Sequence, residues 1–118
     1  MAKVVFCEDD SLIQKMIRMM LRGTDHTLLF AADGEEGLAL IEREHPDVVF
    51  TDLWMPGIDG IELRRRLRAQ PPLADIPVVL VTGAADDERI ADDDGKGAVL
   101  AKPFSPVALR EMVDRYAS

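Results

Sequence analysis

The stretch Asp47-Val48-Val49-Phe50-Thr51-Asp52-Leu53-Trp54-Met55-Pro56-Gly57-Ile58-Asp59-Gly60 decides how the rest of the chain reads. A β-prone apolar run ends in a carboxylate, and a Pro-Gly breaker follows. That pattern puts Asp52 at the C-terminal end of a strand. Other short apolar runs end the same way. Val4-Val5-Phe6-Cys7 leads into Glu8 and Asp9, Ile76-Pro77-Val78-Val79-Leu80-Val81 into Thr82, and Ala98-Val99-Leu100-Ala101 into Lys102. Open α/β sheets bind ligands at the carboxyl ends of their strands. Three carboxylates, a hydroxyl and a lysine on such an edge point to a cation and a phosphoryl group.

A chain of 118 residues is one domain, 1–118, with room for a real core. The apolar share of 47% and the charged share of 31% fit a soluble globular protein. No apolar run approaches the ~20 residues that span a bilayer, and the first strand carries no cleavable signal pattern. A single cysteine excludes an internal disulfide and fits a reducing compartment, the cytoplasm. A net charge of −8 argues against direct nucleic-acid binding. Metal cations and basic protein surfaces remain as partners; a membrane does not.

Strand-like and helix-like segments alternate throughout. Strands are expected at 3–7, 27–31, 47–52, 76–82 and 98–101, and their unbroken apolar character suits strands buried on both faces of a parallel sheet. A helix at 11–22 carries Leu12, Ile13, Met16, Ile17, Met20 and Leu21 at helical spacing, with Asp10 or Ser11 as cap and Gly23 at its end. A second helix at 34–44 buries Leu38 and Ile41. A third at 59–69 uses Ile61, Leu63 and Leu67 and breaks at Pro71-Pro72. The last, at 105–117, starts with Ser105 and Pro106 and offers Val107, Leu109, Met112, Val113 and Tyr116. Residues 84–95 hold six carboxylates, one arginine and only Ile90 as a large apolar residue, so the helix expected there is short or mobile. The alternation predicts an α/β fold, a doubly wound five-stranded parallel sheet with helices on both faces. The strand order 2-1-3-4-5 is carried over from flavodoxin-like sheets. It places Glu8-Asp9 beside Asp52.

Clustered carboxylates repel unless a cation sits among them. Mg²⁺ fits, since it takes oxygen ligands and is commonly held by one or two carboxylates plus phosphate oxygens. An exposed strand-end aspartate can also act as a nucleophile on phosphorus. Lys102 would supply a positive charge to a phosphoryl oxygen, and Thr82 a hydroxyl donor.

The acidic pair Glu8-Asp9, the Asp52–Gly60 segment, Thr82 and Lys102-Pro103-Phe104 together resemble the receiver domain of two-component response regulators, the CheY-like family, over essentially the whole chain. The resemblance implies that Asp52 is the phosphoacceptor. It implies that Glu8, Asp9, Asp52 and the backbone carbonyl of Trp54 hold Mg²⁺, and that Thr82 and Lys102 contact the phosphoryl group. The donor would be a histidine kinase or histidine phosphotransfer protein, and the reader a downstream output protein or domain. The receiver would assist its own phosphorylation and dephosphorylation as a signalling module, not as an enzyme with sustained turnover. The Lys102-Pro103 bond is typically cis in the family. The chain stops just after the last helix, so no output domain is expected within it.

Two positions depart from the family pattern. Val99 stands where an aromatic switch residue is common, and residues 84–95 lack the fuller apolar face of the usual fourth helix. Output is therefore expected to use an ordering change in residues 84–97. Trp54, two residues after Asp52, reads either as a partly buried hydrophobe or as a shield that keeps water from an aspartyl phosphate. Ala84, two residues past Thr82, offers no polar group to orient that water. Cys7, His26 and His45 read as structural or solvated, and the basic stretch Arg64, Arg65, Arg66 and Arg68 as a solvated helix face. Three other functions compete. A constitutive, non-phosphorylated binding module draws support from the two departures. A hydrolase would need a second acid or base where Leu53 and Trp54 are apolar. A flavin or nucleotide binder would need a phosphate-cradling loop where Glu8-Asp9-Asp10 stands.

Overall fold

Each apolar run becomes a parallel strand, and each amphipathic segment packs on one face of the resulting sheet. A computed structural model describes residues 1–83 and 97–117. The order is β1 (Lys3–Cys7), α1 (Ser11–Met20), β2 (Thr27–Ala31), α2 (Gly34–Glu44), β3 (Val48–Asp52), α3 (Gly60–Arg68), a 3₁₀ turn (Pro71–Leu73), β4 (Val78–Thr82), β5 (Gly97–Ala101) and α4 (Pro106–Tyr116). The strands pair in the order 2-1-3-4-5, all parallel, as expected. The helix expected at 84–95 lies outside the described residues. So does the ordering change expected of 84–97, apart from Gly97, which opens β5.

Alternate residues of the strands feed two cores. Val5, Cys7, Val49, Val78 and Leu80 pack with Leu40 and Ile41 of α2 and Leu63 and Leu67 of α3. Val4, Phe6, Val48, Phe50, Val79, Val81 and Leu100 pack with Ile17 of α1, Leu21 just beyond it, and Leu109 and Val113 of α4. Phe6 stacks between Phe30 and Phe50, with ring centroids 5.3 and 5.1 Å away. Burial pushes the Cys7 thiol up to about 12, so it stays protonated inside the first core. Val99, in the switch position, is part of the packing beside that same core.

Element ends differ from expectation for local reasons. The fourth strand starts at Val78, two residues late. Pro77 has no N–H to give, and Ile76 N instead donates to Leu73 O of the 3₁₀ turn. α1 stops at Met20: Arg22 N donates to Met19 O (3.2 Å) in a tighter turn, and Arg110 of α4 donates to Met20 O (2.7 Å) and, beyond the helix, to Arg22 O (3.2 Å). Asp10, Asp33, Asp59 and Ser105 each cap a helix through a side-chain oxygen. His45 is the left-handed cap of α2. His26 joins three segments: its Nδ1 accepts from Ala2 N at 2.9 Å and its Nε2 lies 3.2 Å from Asp114.

Three side chains expected on buried faces are not there. Leu12 and Met16 of α1 and Val107 of α4 are exposed, as is Met19. The helix α1 carries two apolar stripes, 13-17-21 and 12-16-19, and one sheet face covers only the first. The basic stretch on α3 also differs from a freely solvated face. Arg64 is buried, Arg65 and Arg66 pair with Glu62, and Arg68 donates to Ile76 O at 2.7 Å. The two arginines hold the half-buried Glu62 carboxyl down to about 2.

Candidate metal and phosphoryl site

Strand register brings the predicted residues together. Cys7 pairs with Thr51 across β1 and β3, so Glu8 and Asp52, one residue further on, are neighbours. Thr82 pairs with Ala101 across β4 and β5, and Lys102 follows, its N–H donating to Thr82 O at 3.0 Å. The strand ends are locked in sequence: Glu8 N donates to Ala31 O (2.9 Å) and Leu53 N to Val81 O (3.1 Å).

Glu8, Asp9 and Asp52 each offer a carboxylate oxygen within 4.8 Å of the others. Glu8 and Asp52 are buried, and Asp9 is exposed. The Lys102 ammonium lies 2.8 Å from Asp52 Oδ1 and 3.5 Å from Glu8 Oε1. Asp10 stands aside: its carboxylate accepts from Leu12 N at 2.8 Å as the α1 cap, and its N–H donates to Glu8 Oε2 at 3.1 Å. Thr82 is buried at the end of β4. With Asp52, Trp54 and Lys102 it lines an open recess of about 100 Å³. Trp54 is 62% exposed at the mouth of that recess, more open than a partly buried hydrophobe.

Sequence reasoning passed over Gln14. Its Nε2 donates to the Glu8 backbone oxygen at 2.6 Å and pins the β1–α1 loop. A glutamine on a helix carries no signal for that role until the loop beside it is folded.

The charges do not balance. One ammonium faces three acidic groups, and burial raises the Glu8 carboxyl, helped by its hydrogen bond to Asp52 and by the Asp52 charge. The Asp10 N–H and Lys102 pull it the other way. A carboxyl raised on folding favours the folded state while protonated. That contribution fades as pH climbs from the ordinary value of 4.5 through the raised one, unless a cation replaces the proton. Partial burial pulls the Lys102 ammonium down, but Asp52 and Glu8 outweigh it and hold it raised. An all-oxygen donor set with surplus negative charge suits a hard divalent cation such as Mg²⁺.

Known proteins resemble this chain in sequence and in fold. Residues 4–114 match the family model of the response regulator receiver domain. The chain is 32% identical over 117 residues to chemotaxis protein CheY-3 of Vibrio cholerae, covering 96% of this chain and 89% of that one. It is 33% identical over 118 residues to the probable C4-dicarboxylate response regulator DctR of Bacillus subtilis, covering 97% of this chain and 51% of that one. With the probable transcriptional regulator ycf27 of Porphyridium aerugineum the match is 33% over 94% of this chain and 46% of the relative, so the chain spans about half the length of these last two. Among solved structures, Vibrio cholerae CheY4 superposes with a TM-score of 0.89 at 29% identity, covering 99% of both chains. The receiver domain of the Pseudomonas aeruginosa sensor histidine kinase PA1611, solved with a magnesium ion in its active-site cleft, gives 0.85 at 27% identity, covering 98% and 96%. Described residues include no helix long and apolar enough to cross a membrane. With its sheet order, its acidic strand ends and these matches, the chain belongs to the response regulator receiver domain family.

Proposed function

We propose that residues 1–118 form one receiver domain that accepts a phosphoryl group on Asp52 from a histidine kinase or histidine phosphotransfer protein and signals through altered partner binding. The observation that carries this reading is Lys102 at 2.8 Å from Asp52, with Glu8 and Asp9 alongside. A carboxylate oxygen of Asp52 attacks phosphorus, the P–N bond to the donor imidazole breaks, and the imidazole leaves with the bond's electron pair and takes up a proton. Positioning and charge neutralisation dominate such transfers. Bound Mg²⁺, held by Glu8, Asp9, Asp52 and the Trp54 carbonyl, supplies part of that neutralisation. Lys102 and Thr82 bind the phosphoryl oxygens. The chain assists both its loading and its unloading as a signalling acceptor in the cytoplasm. Intact-protein mass after incubation with acetyl phosphate tests the reading. One added phosphoryl group is expected on the wild type, and none without Mg²⁺ or in Asp52→Ala. An adduct that survives Asp52→Ala would refute the assignment, and an unmodified wild type would favour a constitutive binding module.

The exposed stripe of α1 is where the protein donor docks. Leu12 and Met19 are each 63% exposed, and Met16 joins Ile13, Met20 and Phe104 in an apolar groove of about 300 Å³ that reaches Lys102. Lys15 and Arg18 on α1, Arg22 just beyond it and Arg110 on α4 are exposed, a basic rim on an acidic chain. Methionine side chains adapt to varied partner surfaces. Met16→Asp with Met19→Asp is expected to slow transfer from a cognate kinase at least tenfold and to leave loading by acetyl phosphate unchanged. Equal kinase rates in variant and wild type would exclude this face.

Trp54 prolongs the phosphorylated state by covering Asp52 from solvent water. Trp54→Asn is expected to shorten the phosphoryl lifetime several-fold with little change in stability, because the ring is exposed. A lifetime equal to that of wild type removes the shielding role.

A further inference from the structure

Gly60 opens α3 immediately behind the proposed phosphoacceptor. Its N–H donates to Leu53 O at 2.9 Å, and the helix is capped by Asp59, whose Oδ1 accepts from Glu62 N at 2.8 Å. A Cβ placed on Gly60 would lie 2.4 Å from the backbone oxygen of Asp52 and 3.2 Å from its carbonyl carbon. The first distance is closer than real Cβ atoms approach any neighbour. The atom in the way belongs to the main chain, so no flexible side chain can swing aside. Backbone conformation does not demand glycine here, because the left-handed glycines are Gly23 and Gly57, not Gly60. What Gly60 provides is room. Asp52 has little freedom to yield: β3 is buried along its length, it pairs with β1 and β4, and the Thr51 hydroxyl donates to Asp52 O at 3.1 Å.

We propose that Gly60 is a positioning residue for Asp52. The missing side chain lets the first turn of α3 seat against the Asp52 carbonyl, and that contact sets where the carboxylate stands relative to Glu8, Asp9 and Lys102. Even a small displacement of a reacting group is costly; about 1 Å can reduce a rate 10²-fold. The inference rests on the assignment of Asp52 as metal ligand and phosphoacceptor.

A second glycine supplies a matched control. A Cβ on Gly34 would lie 2.2 Å from the backbone oxygen of Ile58, an equally severe clash that does not involve Asp52. Gly60→Ala and Gly34→Ala are compared with wild type by thermal unfolding, by calorimetric titration with Mg²⁺ alone, and by the rate of phosphorylation with acetyl phosphate. Both variants are expected to melt lower. Gly60→Ala is expected to weaken Mg²⁺ binding about tenfold and to slow phosphorylation about 10²-fold, while Gly34→Ala keeps both within about twofold of wild type. If Gly60→Ala is unfolded in buffer, all three proteins are titrated in trimethylamine-N-oxide, which favours the compact state, and the same criteria apply. Wild-type Mg²⁺ affinity and rate in folded Gly60→Ala overturn the inference, as does an equal loss in Gly34→Ala. A wild type that binds no Mg²⁺ and takes no phosphoryl group overturns the site assignment itself, and this inference with it.

Discussion

Lys102→Ala is expected to slow phosphorylation of Asp52 by roughly 10²–10³-fold, the usual cost of deleting one preorganised charge-stabilising donor, while tightening Mg²⁺ binding several-fold. The two effects run in opposite directions for one reason. Lys102 sits 2.8 Å from Asp52 and 3.5 Å from Glu8, so without metal it is the cation among the carboxylates. Removing it leaves Glu8 and Asp52, both buried, with more unbalanced charge, which a divalent ion then relieves. The same imbalance lowers metal-free stability by about 1–2 kcal/mol, at the low end for a charged hydrogen bond because the ammonium is partly solvated. Added Mg²⁺ should recover the loss by mass action. Calorimetry with Mg²⁺ and a mass time course with acetyl phosphate read the two effects separately. Weakened Mg²⁺ binding in Lys102→Ala would mean that the lysine shapes the loop; an unchanged phosphorylation rate would remove it from the chemistry.

The largest effect on the fold is expected from Phe50→Ala. The ring is buried between the sheet and the α1/α4 layer, stacked on Phe6, which stacks in turn on Phe30. Truncation removes the transfer energy of the ring and leaves a cavity that rigid parallel strands cannot close, costing about 3–5 kcal/mol. Domains of this kind hold only about 5–15 kcal/mol in all. Urea unfolding should show a much lower midpoint with an unchanged slope. A loss below about 1 kcal/mol would show that α1 and α4 collapse onto the gap.

Fold class and strand count were legible because five runs of apolar residues, each too short for a buried helix, alternate with segments of helical period. The order of the strands was not legible from period alone and came from resemblance. The site was legible because parallel topology sends every strand's C-terminal end to one edge, so Glu8, Asp52, Thr82 and Lys102 could be grouped without knowing any distance. What escaped were features that depend on how much of a surface the neighbours cover. Leu12 and Met16 count as core residues by period, yet the sheet face receives Ile13, Ile17 and Leu21, and the surplus stripe was already visible as too many apolar positions for one contact. Arg64 could not be told from Arg65 or Arg66 by type, since only helix phase puts one inside and the others on Glu62. Gln14 acquires its role only through the fold of a loop six residues upstream.

Trp54 has one more consequence, and it is optical. It is the only tryptophan in the chain. Its indole stands in water at the rim of the recess that holds Asp52 and Lys102. Excited at the red edge of protein absorption, where Tyr116 is silent, the whole molecule emits from that single point. A change in intensity on adding a cation or a phosphodonor thus comes from the loop after β3, with no background from the cores. The protein carries its own lamp beside Asp52 and Lys102.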